Sequence, residues 1–259
     1  MPDISLTMLI VLCLAAGAAG WIDAVVGGGG LLMLPALLLG LPHVPAAHIL
    51  GTNKAVAIVG TSGAAVTYVR KAPVQVKSAV RIGLAALAGS MTGAFFAAGI
   101  SSAVLRPVIL VVLLGVAAFV MFKPAFGTAA GGRPVTRARA VTAVVLVGGG
   151  IGLYDGLFGP GTGTFLVLAL TAVLHLDLVT ASATAKIVNV CTNAGALAMF
   201  AYQGNVLWQL AAIMAVFNLA GGMIGARMAL SRGSEFVRGV LLVVVFSLVA
   251  KLAFDQWNA

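Results

Sequence analysis

The chain has 259 residues, of which 61% are hydrophobic and 8% charged, far from the roughly one-quarter charged typical of soluble domains. Its 15 Lys and Arg against 6 Asp and Glu give a net charge of +9, yet the cations fall in short clusters between apolar runs, which excludes a solvated nucleic-acid face. Runs of about 20 apolar residues span a bilayer, so the chain reads as an all-α polytopic membrane protein.

Along the first half, helices are expected over about 4–26, 29–41, 46–70, 77–100 and 103–122. The segment before the first apolar core carries Asp3 and no Lys or Arg, unlike a secretory signal, so this helix is expected to be retained. It runs into "GWIDAVVGGGGLLM", where Asp23 precedes four consecutive glycines. Trp21, beside that break, is a candidate to line a cavity. Lys54 sits well inside the third helix, and a basic cluster of Arg70, Lys71, Lys77 and Arg81 follows. Gly89 and Gly93 have the spacing that lets helices pack closely. Residues 123–139 form a basic linker rich in Gly and Pro, expected on the cytoplasmic side, between a first repeat unit (1–122) and a second (140–259).

The second half predicts helices over about 139–158, 162–175, 178–202, 206–229 and 236–255. Its first two are separated by "GLYDGLFGPGTGTF". Lys186 lies inside the third, where Ser182, Lys186, Asn189 and Asn193 share one face. Trp208 and Trp257 read as interfacial anchors, and Cys13 and Cys191 as unpaired small hydrophobes in helices.

The halves are copies. Asp23 and Asp155 are 132 residues apart, and so are Gly27 and Gly159, Gly29 and Gly161, His43 and His175, Thr52 and Thr184, and Lys54 and Lys186. The same interval relates Gly63 to Gly195, Gly89 to Gly221, Gly93 to Gly225 and Arg106 to Arg238. Chance would not keep one register over so many polar residues from about 17–122 to about 149–255. The loop after the third helix is basic in the first half, while its counterpart Gln203–Gly204–Asn205 is uncharged; the loop after the fourth reverses this, with Arg227, Arg232 and Arg238 in the second half. Equivalent loops then face opposite sides, which predicts inverted-topology repeats of the kind secondary transporters use.

In such repeats, paired glycine-broken helices mark a midplane site. Irregular backbone in hydrocarbon is tolerated only under cover of protein or next to water. Gly29, Gly30, Gly161 and Thr162 stand at the starts of short helices whose free amides favour an anion. A lysine at membrane depth costs about 2.5–3.5 kcal/mol on insertion scales and turns to a cavity or a partner. Lys54 and Lys186, with Thr52, Asn53, Thr184 and Asn189 on the same helices, therefore compose a candidate anion site. Asp23 and Asp155 are expected as structural or proton-coupling acids, and pairing with the two lysines is an equal expectation. No metal or cofactor motif is present.

The stretch "DAVVGGGGLLMLPALLLGLP" followed by "GTNKAVAIVGTSGAAVTYVR", with its degenerate second copy, resembles the TauE/SafE family of membrane permeases over nearly the whole chain. The chain carries Asn53 where family patterns often have serine. The resemblance implies export of a small sulfur-containing anion, such as sulfite, sulfoacetate or another organosulfonate, across the bacterial inner membrane. The partners expected are that small anionic solute and the lipid bilayer, with a homodimer left open and no nucleic acid. Two rival readings are an intramembrane aspartyl protease using Asp23 and Asp155, and a non-transporting scaffold.

Overall fold

A computed structural model describes residues 4–72, 74–122 and 136–257. Most of the linker expected at 123–139 therefore lies outside the described residues. Ten helices follow one another among the described residues: α1 Leu6–Val26, α2 Gly29–Gly40, α3 Ala46–Val69, α4 Val76–Gly99, α5 Ser102–Phe122, α6 Arg137–Leu157, α7 Thr162–Leu174, α8 Leu178–Tyr202, α9 Trp208–Gly233 and α10 over 234–257. No strand occurs among the described residues. Five helices (α1, α3, α4, α6 and α9) are long and apolar enough to cross a membrane. The chain is an all-α, multi-pass membrane protein.

Local chemistry fixes the helix ends. Ser5 caps α1 by accepting the Met8 amide at 3.2 Å, and Asp177 caps α8 by accepting the amides of Val179 and Thr180 at 3.0 Å. Gly27 ends α1 in the left-handed region at φ 78°, returning its amide to the Asp23 carbonyl. Gly233, at φ 74° and ψ −165°, separates α9 from α10. Within α6, residues Ala143–Gly150 widen into a π-helix, a feature the sequence pattern did not announce.

The short helices fold back along the long ones. Gly29 of α2 lies against Ala19 and Asp23 of α1, and Gly40 lies against Met8 and Leu12, so α2 retraces α1 in the opposite sense. At about 1.5 Å per residue, the 12-residue α2 reaches only about 18 Å, short of a bilayer core of about 30 Å. The 13-residue α7 likewise touches all three stretches of α6, at 137–142, 143–150 and 151–157. Both glycine breaks are hairpin tips. Arg106 ties down the far end of the first hairpin, donating to the carbonyls of Leu38 at 3.4 Å, Leu41 at 3.3 Å and Val44 at 2.6 Å. These are C-terminal carbonyls of α2 and the turn after it, left without helical partners. Arg106→Gln is expected to lose about 1.5–3 kcal/mol, as hydrogen bonds to a charged donor do. An unfolding midpoint in detergent equal to that of the parent would contradict this.

Two of the three apolar cores among the described residues frame the site. One joins α1, α2, α3 and α9 through residues such as Leu12, Leu34, Ile49 and Met214. The other joins α4, α6, α7 and α8 through Ile82, Val147, Leu170 and Val188. Each half of the sequence thus lends its fourth helix to the other half's core. Glycines make these contacts close. Gly17 of α1 faces Phe217 and Gly221 of α9, while Gly225 faces Trp21 and Ala24, so α1 and α9 run in the same sense. Gly148, Gly152 and Gly156 of α6 face Ile82, Ala86 and Ser90 of α4, again in the same sense. In the α3–α9 pair, Gly51 meets Asn205, Gly60 meets Asn218 and Gly63 meets Met223. The expected close packing through Gly89, Gly93, Gly221 and Gly225 is seen at all four positions.

Candidate functional site

The two hairpin tips meet each other. Gly27 packs on Gly163, and Gly30 packs on Gly159 and Pro160. Thr164 fastens them: its amide donates to the Gly27 carbonyl at 3.1 Å and its hydroxyl to the Val26 carbonyl at 2.9 Å. No side chain caps the starts of α2 or α7, where Gly28 and Gly161 stand as the N-terminal flanks. First-turn amides have no partner within their own helix. Two partial positive ends therefore converge on one place.

The ionisable groups cross between the halves at this junction. Lys54 Nζ on α3 lies 2.6 Å from Asp155 Oδ1, with both side chains about 2% exposed. Lys186 Nζ on α8 lies 2.9 Å from Asp23 Oδ2, with the lysine fully buried and the aspartate 16% exposed. Lys186 also donates to the Asp23 backbone carbonyl. Thr162 donates to Asp155 Oδ1 at 2.6 Å, and Thr61 to Asp23 Oδ2 at 3.2 Å. The expected lysine–aspartate pairing is what the structure contains, and every pair joins opposite halves. Two cations and two anions leave the cluster with no net charge.

A cavity lies among these groups, lined by Asp23, Gly29, Gly30, Asn53, Lys54, Thr61, Asp155, Thr162, Asn189, Asn193 and Asn218. Its free space is about 30 Å³, enough for two or three waters at about 10–15 Å³ each. Asn53 is 4% exposed and makes no hydrogen bond among the described residues, so its amide is available to the cavity. Asn189 also lines it, with its Oδ1 engaged by Thr192 at 3.1 Å. Asp155 Oδ2 is buried without a partner.

Of the residues singled out from sequence, Asn53, Lys54, Asn189, Gly29, Gly30, Thr162, Asp23 and Asp155 line the cavity. Gly161 stands just behind, as the left-handed residue (φ 71°) before α7. Lys186 does not reach the lining and sits behind Asp23. Thr52 faces away, accepting the Leu207 amide at 3.0 Å near the start of α9. Thr184 returns its hydroxyl to the Thr180 carbonyl at 2.8 Å. Ser182 is buried with its hydroxyl unpartnered, off the cavity. Trp21 is a correction: it packs on Met228 and edge-on to Phe236, because its position on α1 turns it to α9 and α10. Asn218 was missed, although an asparagine inside the apolar run of α9 was a legible signal; its amide holds the Ala16 carbonyl at 2.8 Å.

The fold and this crossed cluster can be set beside known proteins. Residues 12–252 match the family model described as sulfite exporter TauE/SafE. The chain belongs to the TauE/SafE family. Similar proteins include the probable membrane transporter protein ORF9 of Sinorhizobium sp, 32% identical over 255 residues, covering 98% of this chain and 96% of that one. A probable membrane transporter protein of Haemophilus influenzae is 32% identical over 98% of both chains. The probable membrane transporter protein YfcA of Escherichia coli K12 is 32% identical over 98% of this chain and 92% of its own. No solved structure matches the chain. As a TauE/SafE member the protein is a membrane transporter and not an enzyme. The geometry agrees at one point: Asp23 and Asp155 each hold a lysine, whereas an aspartyl protease needs two carboxyls about 3 Å apart sharing a proton.

Proposed function

We propose that the protein carries a small anion, of the sulfite or organosulfonate class, outward across the bacterial inner membrane by alternating access around the central cavity. The observation that carries this reading is the crossed pair of lysines and aspartates at the meeting point of two uncapped helix starts. Such a site offers amides, an asparagine and an ammonium to a negatively charged solute. In this reading an entering anion competes with Asp155 for Lys54, and the tips part to admit it.

Inversion of the two halves supports the same reading. α1 runs with α9 and α9 with α3, α8 runs against α3 (Gly51 at Phe200, Ala64 and Tyr68 clustered with Ala183), and α4 runs with both α8 and α6. Following those senses, α1 and its copy α6 point in opposite directions, as alternating access between inverted repeats requires. Export is the downhill direction, since each elementary charge is worth about 2.3 kcal/mol per 100 mV of interior-negative potential. The sulfur in the substrate comes from the family description and the resemblance. Cavity chemistry alone supports a small anion.

The test is anion flux from proteoliposomes under an imposed potential, with sulfite and sulfoacetate as probes. Saturable flux that disappears in the Lys54→Ala, Lys186→Ala double variant is expected; flux unchanged in that variant counts decisively against the site. Asn53→Ala provides a milder companion. Because the Asn53 side chain bonds to nothing among the described residues, its loss is expected to leave the unfolding midpoint unmoved while raising the half-saturating anion concentration about tenfold, the equivalent of about 1.4 kcal/mol. An unaltered concentration dependence would remove Asn53 from the site.

A further inference from the structure

A second concavity, larger than the central cavity and unconnected with the anion reading, lies between α3 and α9. It has a volume of about 790 Å³. Its walls are mainly apolar, with Val59 and Val66 from α3 and Leu219 and Met223 from α9, interrupted by Ser62 and Thr67 of α3. One end is closed by three cations, Arg70, Lys71 and Arg227. All three are exposed, and none has an acidic partner among the described residues.

The groove is not a vestibule of the central site. α3 presents Asn53, Lys54, Ala57 and Thr61 to the cavity. At about 100° per residue, Val66 lies about 180° around the helix from Ala57. Groove and cavity thus occupy opposite faces of α3. Val59 is 37% and Val66 51% exposed, on a helix that is itself long and apolar enough to cross a membrane. An outward apolar trough with positive charge at one end only is complementary to an amphiphile with an anionic head.

We propose that this groove is a binding site for an anionic phospholipid, whose acyl chain lies along Val59, Val66, Leu219 and Met223 and whose phosphate is held by Arg70, Lys71 and Arg227. Basic pockets between membrane helices on the cytoplasmic side recognise such headgroups. The clustering of these cations assigns that end of α3 and α9 to the cytoplasmic side. A second copy of the chain is a poorer occupant. An isologous contact places the same patch on both sides of the axis, so it would set these cations against their own equivalents.

Native mass spectrometry of the full chain, released from detergent with phosphatidylglycerol or phosphatidylcholine, tests this directly. The parent is expected to retain phosphatidylglycerol adducts at least about tenfold more readily than phosphatidylcholine adducts. Arg70→Gln, Lys71→Gln, Arg227→Gln together should abolish the preference, and Arg137→Gln, Arg139→Gln should keep it. Val66→Trp, which fills the trough and leaves every charge in place, should also abolish it, and gives a second route if the triple variant does not fold. Equal retention of both lipids by the parent overturns the proposal. So does a preference that survives Val66→Trp, or displacement of the lipid by millimolar inorganic phosphate, which would make the site one for a soluble anion. Loss of a dimer in Val66→Trp with lipid retention unchanged would assign the groove to a second copy and overturn it equally.

Discussion

Lys54→Met is expected to lower folding stability by about 3–5 kcal/mol, and Lys54→Met combined with Asp155→Leu to restore most of that loss. The single change strands the Asp155 carboxylate at 2% exposure. Its Oδ2 already lacks a partner and only the Thr162 hydroxyl remains on Oδ1. The double change removes the stranded charge and leaves an apolar contact of similar size. The second bridge should respond less. Asp23 is 16% exposed and also receives Thr61, so Lys186→Met leaves a partly hydrated carboxylate. Thermal unfolding in detergent measures all three. Equal midpoints for the single and double variants would show that the pair is not a mutually neutralising buried bridge. Anion flux should be lost in the double variant despite its recovered stability, because Lys54 lines the cavity.

The hairpin junction should be the next most sensitive place. Gly27→Ala is expected to cost about 1–2 kcal/mol for a side chain at φ 78° and about 1–3 kcal/mol more for overpacking. Its new Cβ would stand 2.1 Å from the Gly163 carbonyl carbon, a backbone atom that no rotamer can move. Gly204→Ala isolates the first contribution, since Gly204 has φ 74° with open space around it. Gly163→Ala isolates the second, its Cβ meeting the Gly27 Cα at 2.5 Å. If Gly27→Ala proved no worse than Gly204→Ala, the tips would not be pressed together as described. Flux should fall with Gly27→Ala and Gly163→Ala and persist with Gly204→Ala.

Helix positions were largely legible in the sequence because glycine, proline and charge punctuate apolar runs at helix ends. The expected 29–41, 46–70 and 178–202 correspond to Gly29–Gly40, Ala46–Val69 and Leu178–Tyr202. The aspartate–lysine chemistry was legible too, since four charges buried in lipid must find one another. What pairs with what was not. A repeat of 132 residues is silent on whether Lys54 meets the acid of its own half or of the other. Only the exchange of α4 and α9 between the two cores decides that. Thr52 and Thr184 sit two residues before the lysines, and two helical steps of about 100° turn each to a different neighbour. Asn218 lies on the fourth helix of its half, which nothing in the local pattern links to the glycine breaks. The π-helical stretch in α6 packs on α4 through Gly148, and nothing in the run Gly148–Gly149–Gly150 distinguishes it from an ordinary helical turn.

The cancellation of charge at the junction bears on the kinetics of the proposed cycle. With two ammonium and two carboxylate groups matched, the unloaded carrier has nothing for the electric field to push, so its reorientation proceeds at one rate whatever the voltage. The loaded carrier differs by the charge of its passenger alone. Strong polarisation would then hasten only the outward stroke, and turnover would level off at the pace of the empty return.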